Sequence, residues 1–331
     1  MRFEKHVAGK NSMWSSWADR APVAVALLAT LFLTTARGVA QQVPPPHDRF
    51  GEFPRFANTA DEFGEGRNPW QQRRVKPFRV IGNLYYVGFQ DVSAWFIATP
   101  QGHIQIDSTW EQTWPLIMES IEELGFQVRD IKYLLSSHSH IAHIAAHRTA
   151  KDLTGAQIWA SRRDAANWIE KPEAVEAKYA TDFYRLRWKP AKVDKYVETG
   201  TTLTLGGTTL TAHITACETE GATTWTMVAE EGGRRYNVVM SSGLGVGNLK
   251  SWPTKARDCE EGLKRAAALP ADVYLSVHDP YWGFREKRAK MNSFFPGNPF
   301  LNGDEYRAYV AARQKDLQDA LAGRPVRGGA D

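Results

Sequence analysis

From Phe78 onward, apolar residues gather in short runs punctuated by glycine, and residues 78–80, 83–87, 94–98 and 103–107 read as strands of an antiparallel meander. Leu116, Ile117, Ile121 and Leu124 then recur at helical spacing and stop at Gly125, which predicts a helix. A buried strand at 131–135, a helix running to about Leu153 and closed by Gly155, a strand at 157–160 and a helix over 162–169 complete a first half. After a polar stretch the plan recurs. Strands are expected at 201–205, 208–214, 223–228 and 236–240, then a helix over 255–268, a strand at 273–277 and a closing helix over 304–321. Strands and helices that alternate twice predict an α/β domain of two facing βα halves, with loops from both meeting at one edge.

The pattern before Phe78 differs. Residues 23–36 are fourteen positions without a charge, preceded by Arg20 and a basic stretch and followed by the small residues Gly38 and Ala40. This reads as a secretory signal peptide over residues 1–40, cleaved before Gln41, with Met13 an alternative start. The run is shorter than the ~20 residues of a membrane span, so no membrane attachment is expected after cleavage. Residues 41–76, rich in proline, glycine, asparagine and charge, read as an N-terminal arm with little regular structure. The folded domain is expected over 77–331, in a periplasmic or secreted protein.

Removing the leader changes the charge. The whole chain has 41 Lys and Arg against 37 Asp and Glu; residues 1–40 hold five basic and two acidic groups, leaving 36 against 35. A chain so near neutrality implies neither a nucleic acid nor a polyanion as partner, which leaves a small-molecule substrate open. The two cysteines, Cys217 and Cys259, fall in a loop and in a helical pattern, a placement that favours free thiols over a bridge even in an oxidising compartment.

The chemistry is concentrated after the strand at 131–135. His138, His140 and His143 lie within six residues. Side chains alternate along extended chain, so His138 and His140 share a side, and the next turn can bring His143 back to them. Neutral imidazole is the commonest zinc ligand, although such a cluster also suits a solvated loop or a few hydrogen-bonded rings. His147, one turn beyond His143, reads as a satisfied histidine, and His103 and His213, within strands, as structural.

The stretch from Ser137 to His143 resembles the His-X-His-X-Asp-His motif of the metallo-β-lactamase superfamily, with Ala142 in place of the aspartate. The resemblance is closest to the third subclass of metallo-β-lactamases. In that subclass a segment Thr-Pro-Gly-His-Thr-Pro-Gly supplies a further ligand; here Thr215 to Gly221 matches it and Glu218 takes the histidine's position. Thr211-Ala212-His213 before it and Thr223-Thr224-Trp225-Thr226 after it set that register, and Ala222 stands where the family often has serine or cysteine. His278, directly after a late strand, matches the family's last ligand. Further likeness covers 83–88, Asp91-Val92-Ser93, the strand-end Asp107, Asn298 to Leu301 and Glu305 to Val310.

The resemblance implies the four-layer αβ/βα metallo-β-lactamase sandwich and a zinc-dependent hydrolase acting on a β-lactam or a related cyclic amide or ester. Carried over residue by residue, the first zinc would sit on His138, His140 and Glu218, two histidines and a carboxylate with an open fourth position. The second position keeps only His143 and His278, so one Zn²⁺ is expected and a second is possible only with help from Cys217, Glu220 or Asp279. Metal-free His143 and His278 are then the catalytic proton carriers. Lys250 is a candidate for a substrate carboxylate, and the aromatic stretch 179–188 for a cover over the cleft. The alternatives are a catalytically weak or inactive binding protein on the same fold and a metal enzyme with a redox or thiol substrate.

Overall fold

In the computed structural model, residues 74–171, 188–293 and 295–326 are described. The signal peptide, nearly all of the arm and most of the stretch 179–188 lie outside them. Two mixed sheets organise the domain. The first runs in chain order through β1 (Phe78–Ile81), β2 (Leu84–Tyr86), β3 (Trp95–Thr99), β4 (Gly102–Ile106), β5 (Ile131–Leu135), β6 (Gln157–Ser161) and β7 (Lys195–Val197). It is an antiparallel meander up to β4 and parallel from β4 to β7.

The second half contributes β8 (Thr202–Leu205), β9 (Thr208–Ile214), β10 (Thr223–Glu231), β11 (Arg234–Ser241) and β12 (Val273–Ser276), in the order β12-β11-β10-β9-β8. Only the β11–β12 pair is parallel, as a strand reached through a helical crossover must be. The helices are α1 (Trp114–Glu123), α2 (Ile141–Ile144), α3 (His147–Thr154), α4 (Arg162–Asp164), α5 (Lys255–Ala267), α6 (Asp279–Trp282), α7 (Phe284–Met291) and α8 (Gly303–Leu321). Strand β7 and helices α6 and α7 carry too few periodic apolar positions to be read from the sequence.

Alternation along the strands divides the core in two. Trp95 and Leu135 join a cluster with Trp225, Met227, Met240, Tyr274 and Trp282. Their neighbours Phe96 and Leu134 turn the other way and pack with Trp114, Ile117, Ile121 and Ile144 from the helices of the first half. This is the period of two that puts successive strand side chains on opposite faces. The layers of helix, sheet, sheet and helix predicted from the pattern are therefore present, and they bury most of the tryptophans of the described residues.

One expectation is overturned. Cys217 and Cys259 form a disulfide with their Cα atoms 4.4 Å apart, closing a span of 42 positions. The sequence places one in a loop and one in a helix but says nothing about how closely α5 approaches the loop after β9. Gly262 decides that. A Cβ at this position would lie 2.9 Å from the Thr215 carbonyl carbon and 3.0 Å from the Ala216 nitrogen, so only glycine lets the helix lie directly against the loop. Cys259, one turn earlier, then meets Cys217, which is excluded as a metal ligand.

Candidate metal centre

Strand β5 ends at Leu135, and the next residues are fixed by both sheets. The Ser136 nitrogen donates to the Trp159 carbonyl at 3.1 Å within the first sheet. From the second, the Trp225 indole donates to the Ser136 carbonyl at 3.0 Å and the Thr223 nitrogen to the Ser137 carbonyl at 2.6 Å. The chain leaves this clamp extended, so His138 and His140 point the same way, and α2 begins directly after His140. One turn of helix returns His143, whose ring centroid lies 4.2 Å from that of His138.

The loop after β4 holds this turn from behind. The nitrogens of Ser108 and Thr109 donate to the His143 carbonyl at 2.9 and 3.2 Å, and the Ala146 nitrogen donates to the Thr109 carbonyl at 3.2 Å. To present these groups, Asp107 and Thr109 both adopt left-handed backbone, each with φ 62°. A non-glycine residue in that region costs on the order of 1–3 kcal/mol and persists where the surroundings enforce it. Here the reward is the position of the Asp107 carboxylate: it accepts from the Ser137 nitrogen at 2.8 Å, the Ser137 hydroxyl at 2.6 Å and His143 Nδ1 at 2.9 Å. Complete burial pushes this carboxyl up to about 7, opposed by the two Ser137 hydrogen bonds.

His278 arrives from the other half. It follows β12 and begins α6, and its Nδ1 donates to the Asp91 carbonyl at 2.9 Å. Its Nε2 lies 3.3 Å from His143 Nε2. Burial pulls both rings down to about 3, so each is a neutral base at physiological pH. His138 is pushed well below its ordinary value, first by burial and then by the neighbouring histidines, and its Nε2 is buried with no hydrogen-bond partner.

Glu218 comes from the loop between β9 and β10. Its Oε2 accepts from the Gly245 nitrogen at 2.7 Å, and a Cβ at Gly243 or Gly245 would stand 2.7 or 2.5 Å from the same oxygen. The carboxylate is bedded in a segment that tolerates no side chains at those two positions. The loop itself hangs on Asp164, which accepts from the Thr219 hydroxyl at 2.8 Å and the Gly221 nitrogen at 2.9 Å. Asp164 follows Ser161 at the start of α4, and the Ser161 hydroxyl accepts from the Asp164 nitrogen, a Ser-X-X-Asp signature legible in the sequence.

All five sequence-derived metal residues therefore meet, in two groups. His138, His140 and Glu218 form one and His138, His143 and His278 the other, and within each group the ligand atoms lie within 4.8 Å of one another. His138 belongs to both, a sharing that the spacing alone does not reveal. The proposed helpers of the second position do not join it. Cys217 is in the disulfide, Glu220 accepts from Asn167, and Asp279 binds Arg285 through the backbone nitrogen at 3.1 Å and the guanidinium at 2.9 Å. Ala142 packs against the apolar cluster under the helices. Lys250 is exposed on its loop.

The satisfied histidines are as expected. His147 Nδ1 and Nε2 each lie 2.7 Å from a serine hydroxyl, Ser108 and Ser136; His213 bonds Thr226, and His103 packs on Phe96 and Phe126. The supporting frame is what ligand spacing does not give: Ser137, Asp164 and the Asp91 carbonyl belong to no ligand motif, and Asp107 enters only as part of a likeness. An acid at a strand end is a usable signal, whereas a backbone carbonyl leaves none.

Known proteins resemble this chain over most of its length. Residues 87–232 match the family model of the metallo-beta-lactamase superfamily. The native FEZ-1 metallo-β-lactamase from Legionella gormanii is 32% identical, with 76% of this chain and 97% of that one covered at a TM-score of 0.71. BJP-1, a subclass B3 metallo-β-lactamase of Bradyrhizobium japonicum, is 31% identical over 77% and 97% of the two chains, TM-score 0.69. A Cronobacter sakazakii metallo-β-lactamase with a HARLDQ motif is 27% identical over 76% and 96%, TM-score 0.68.

Proposed function

The chain belongs to the metallo-β-lactamase superfamily, and from that premise we propose that it is a secreted zinc-dependent hydrolase opening a β-lactam or a related cyclic amide or ester with one metal ion per chain. The observation that carries the reading is the shared His138. His138 Nδ1 is turned to the Ser137 hydroxyl and Nε2 is left with the one lone pair free for a metal, so two ligand groups that both draw on His138 hold one ion, not two. The donor set fits zinc: neutral imidazoles and a carboxylate, with a buried nitrogen, His138 Nε2, that nothing in the protein satisfies.

The residues that would hold the ion are His138 with His140 and Glu218, or His138 with His143 and His278. There the ion would supply a Lewis acid for the scissile carbonyl and an activated water. The protein's own contribution is orientation and proton movement. Asp107 and Ser137 fix the rings of His143 and His138, and the Asp91 carbonyl fixes His278. Whichever pair of side chains is left without metal, His143 with His278 or His140 with Glu218, would take a proton from an attacking water and give it to the leaving nitrogen of an amide or the leaving oxygen of an ester. Support for the substrate class is the similarity to proteins named as β-lactamases. The disulfide agrees with export to an oxidising compartment, and among the described residues no helix is long and apolar enough to cross a membrane.

A second reading is favoured by Ala142. The resemblance puts a carboxylate there to orient the nucleophile, and an apolar methyl cannot; misplacing a nucleophile by an ångström costs ~10²-fold in rate. This would leave a binding protein with weak or no activity. One experiment separates the two: zinc per chain in the protein from Gln41 onward, purified without chelator, together with penicillin, cephalosporin, lactone and ester hydrolysis before and after chelation. About one zinc and chelator-sensitive ring opening are expected. One zinc without hydrolysis of any of the four classes would establish the binding protein instead.

A further inference from the structure

We infer that the single metal ion sits on His138, His143 and His278, and that His140 and Glu218 form the metal-free polar wall facing it. The inference rests on the proposed function only in taking the natural ligand of this centre to be a divalent cation.

The first argument is the state of the three rings. Each has its rear nitrogen committed as a donor. His278 Nδ1 faces a backbone carbonyl, which only accepts. His143 Nδ1 faces the Asp107 carboxylate. The Ser137 hydroxyl gives its proton to Asp107 at 2.6 Å, so towards His138 Nδ1, 3.2 Å away, it only accepts. With all three protons at the rear, all three Nε2 atoms carry bare lone pairs. Such rear partners fix tautomer and ring direction, and they are the usual support of metal-binding histidines.

The second argument is distance. His143 Nε2 and His278 Nε2 lie 3.3 Å apart. With no proton on either, that contact sets two lone pairs against each other, and a cation between them resolves it. Two nitrogens at ~2.0–2.1 Å from a tetrahedral zinc stand about 3.3–3.4 Å apart, so the spacing matches what one ion requires. His138 Nε2, buried and without a partner, supplies the third corner.

The other group is built differently. Glu218 directs one oxygen at the Gly245 nitrogen and is embedded between Gly243 and Gly245. His140 is only half-buried and lies edge-on to Trp168, ring centroids 5.6 Å apart. With Ala142 unable to supply a carboxylate, His138 completes the site beside His143 and His278. A three-imidazole centre results, with an anionic side chain close by to receive a proton.

Cobalt and zinc titrations of the mature protein test the assignment, using His143→Ala, His278→Ala, His140→Ala and Glu218→Gln, each with its unfolding midpoint and circular dichroism. His143→Ala and His278→Ala are expected to weaken cobalt binding by about 100-fold or more and to abolish its visible bands. His140→Ala and Glu218→Gln are expected to bind one cobalt, within about threefold of wild-type affinity and with the bands in place. His278→Asn, which keeps a polar group beside Asp91, repeats the test if an alanine variant does not fold. The reverse pattern overturns the assignment, as does loss of binding in all four folded variants. No binding by the wild type ends both the assignment and the proposed function, whereas the expected binding pattern without hydrolysis ends only the latter.

Discussion

The indole nitrogen of Trp225 donates to the carbonyl of Ser136 at 3.0 Å, joining β10 of one sheet to the residue that follows β5 of the other, two positions before His138. Trp225 is fully buried. Trp225→Phe removes this donor and leaves a buried carbonyl unpaired, at a cost of about 1–3 kcal/mol. A lower urea midpoint with an unchanged m-value is expected. Because the bond anchors the histidine loop, zinc affinity is expected to fall as well, and a variant with wild-type stability and affinity would show that the backbone clamp from Thr223 suffices.

Asp107 supports two of the three histidines, one directly and one through Ser137. Asp107→Asn keeps the shape but replaces a pure acceptor with a group that can present an N–H to His143. Loss of such a supporting carboxylate weakens metal binding by about 10–100-fold. Competition with a chelating dye measures it. An affinity within twofold of wild type would mean that the ring of His143 is positioned by packing alone.

Asp164 gives the protein a pH dependence of defined sign. Burial raises its folded-state pKa to about 6 despite the bonds from Thr219 and Gly221, while the unfolded value is ~3.9. Between these values the folded chain binds the extra proton. Stability is therefore expected to fall as pH rises from about 4 to 6, by on the order of 2–3 kcal/mol for this group. The urea midpoint of the metal-free protein followed over that window, wild type minus Asp164→Asn, isolates the effect, since Asp107 is present in both. A difference that does not change with pH would place the Asp164 carboxyl in contact with solvent.

The Cys217–Cys259 bridge closes a span of 42 positions, for which chain entropy gives about 4 kcal/mol and experience about 2–4 kcal/mol. The double variant Cys217→Ala, Cys259→Ala is expected to lose stability of that order with unchanged affinity for added zinc, because both sulfurs are in the bridge and neither can be a ligand. Loss of the metal in a folded double variant would instead make Glu218, the residue after Cys217, part of the metal site and count against the assignment to His138, His143 and His278.

Much of this protein was legible before its structure. The alternation in 95–98 and 133–135 determined which side chains enter which core layer, since strand side chains face opposite ways at successive positions whatever the fold. The cluster His138, His140 and His143 after a buried strand and the matched positions of Glu218 and His278 marked all five candidate ligands. Local pattern reaches no further, because it is blind to which nitrogen faces which neighbour. That Cys217 meets Cys259 depends on how closely α5 can pack, and Gly262 sets this through space rather than along the chain. That His138 belongs to two groups, and that Asp107, Ser137 and a carbonyl at Asp91 orient three rings, follows from contacts between residues as much as 187 positions apart. Residue types and spacing determined the inventory of the centre; the close packing of two halves decided how its side chains face one another.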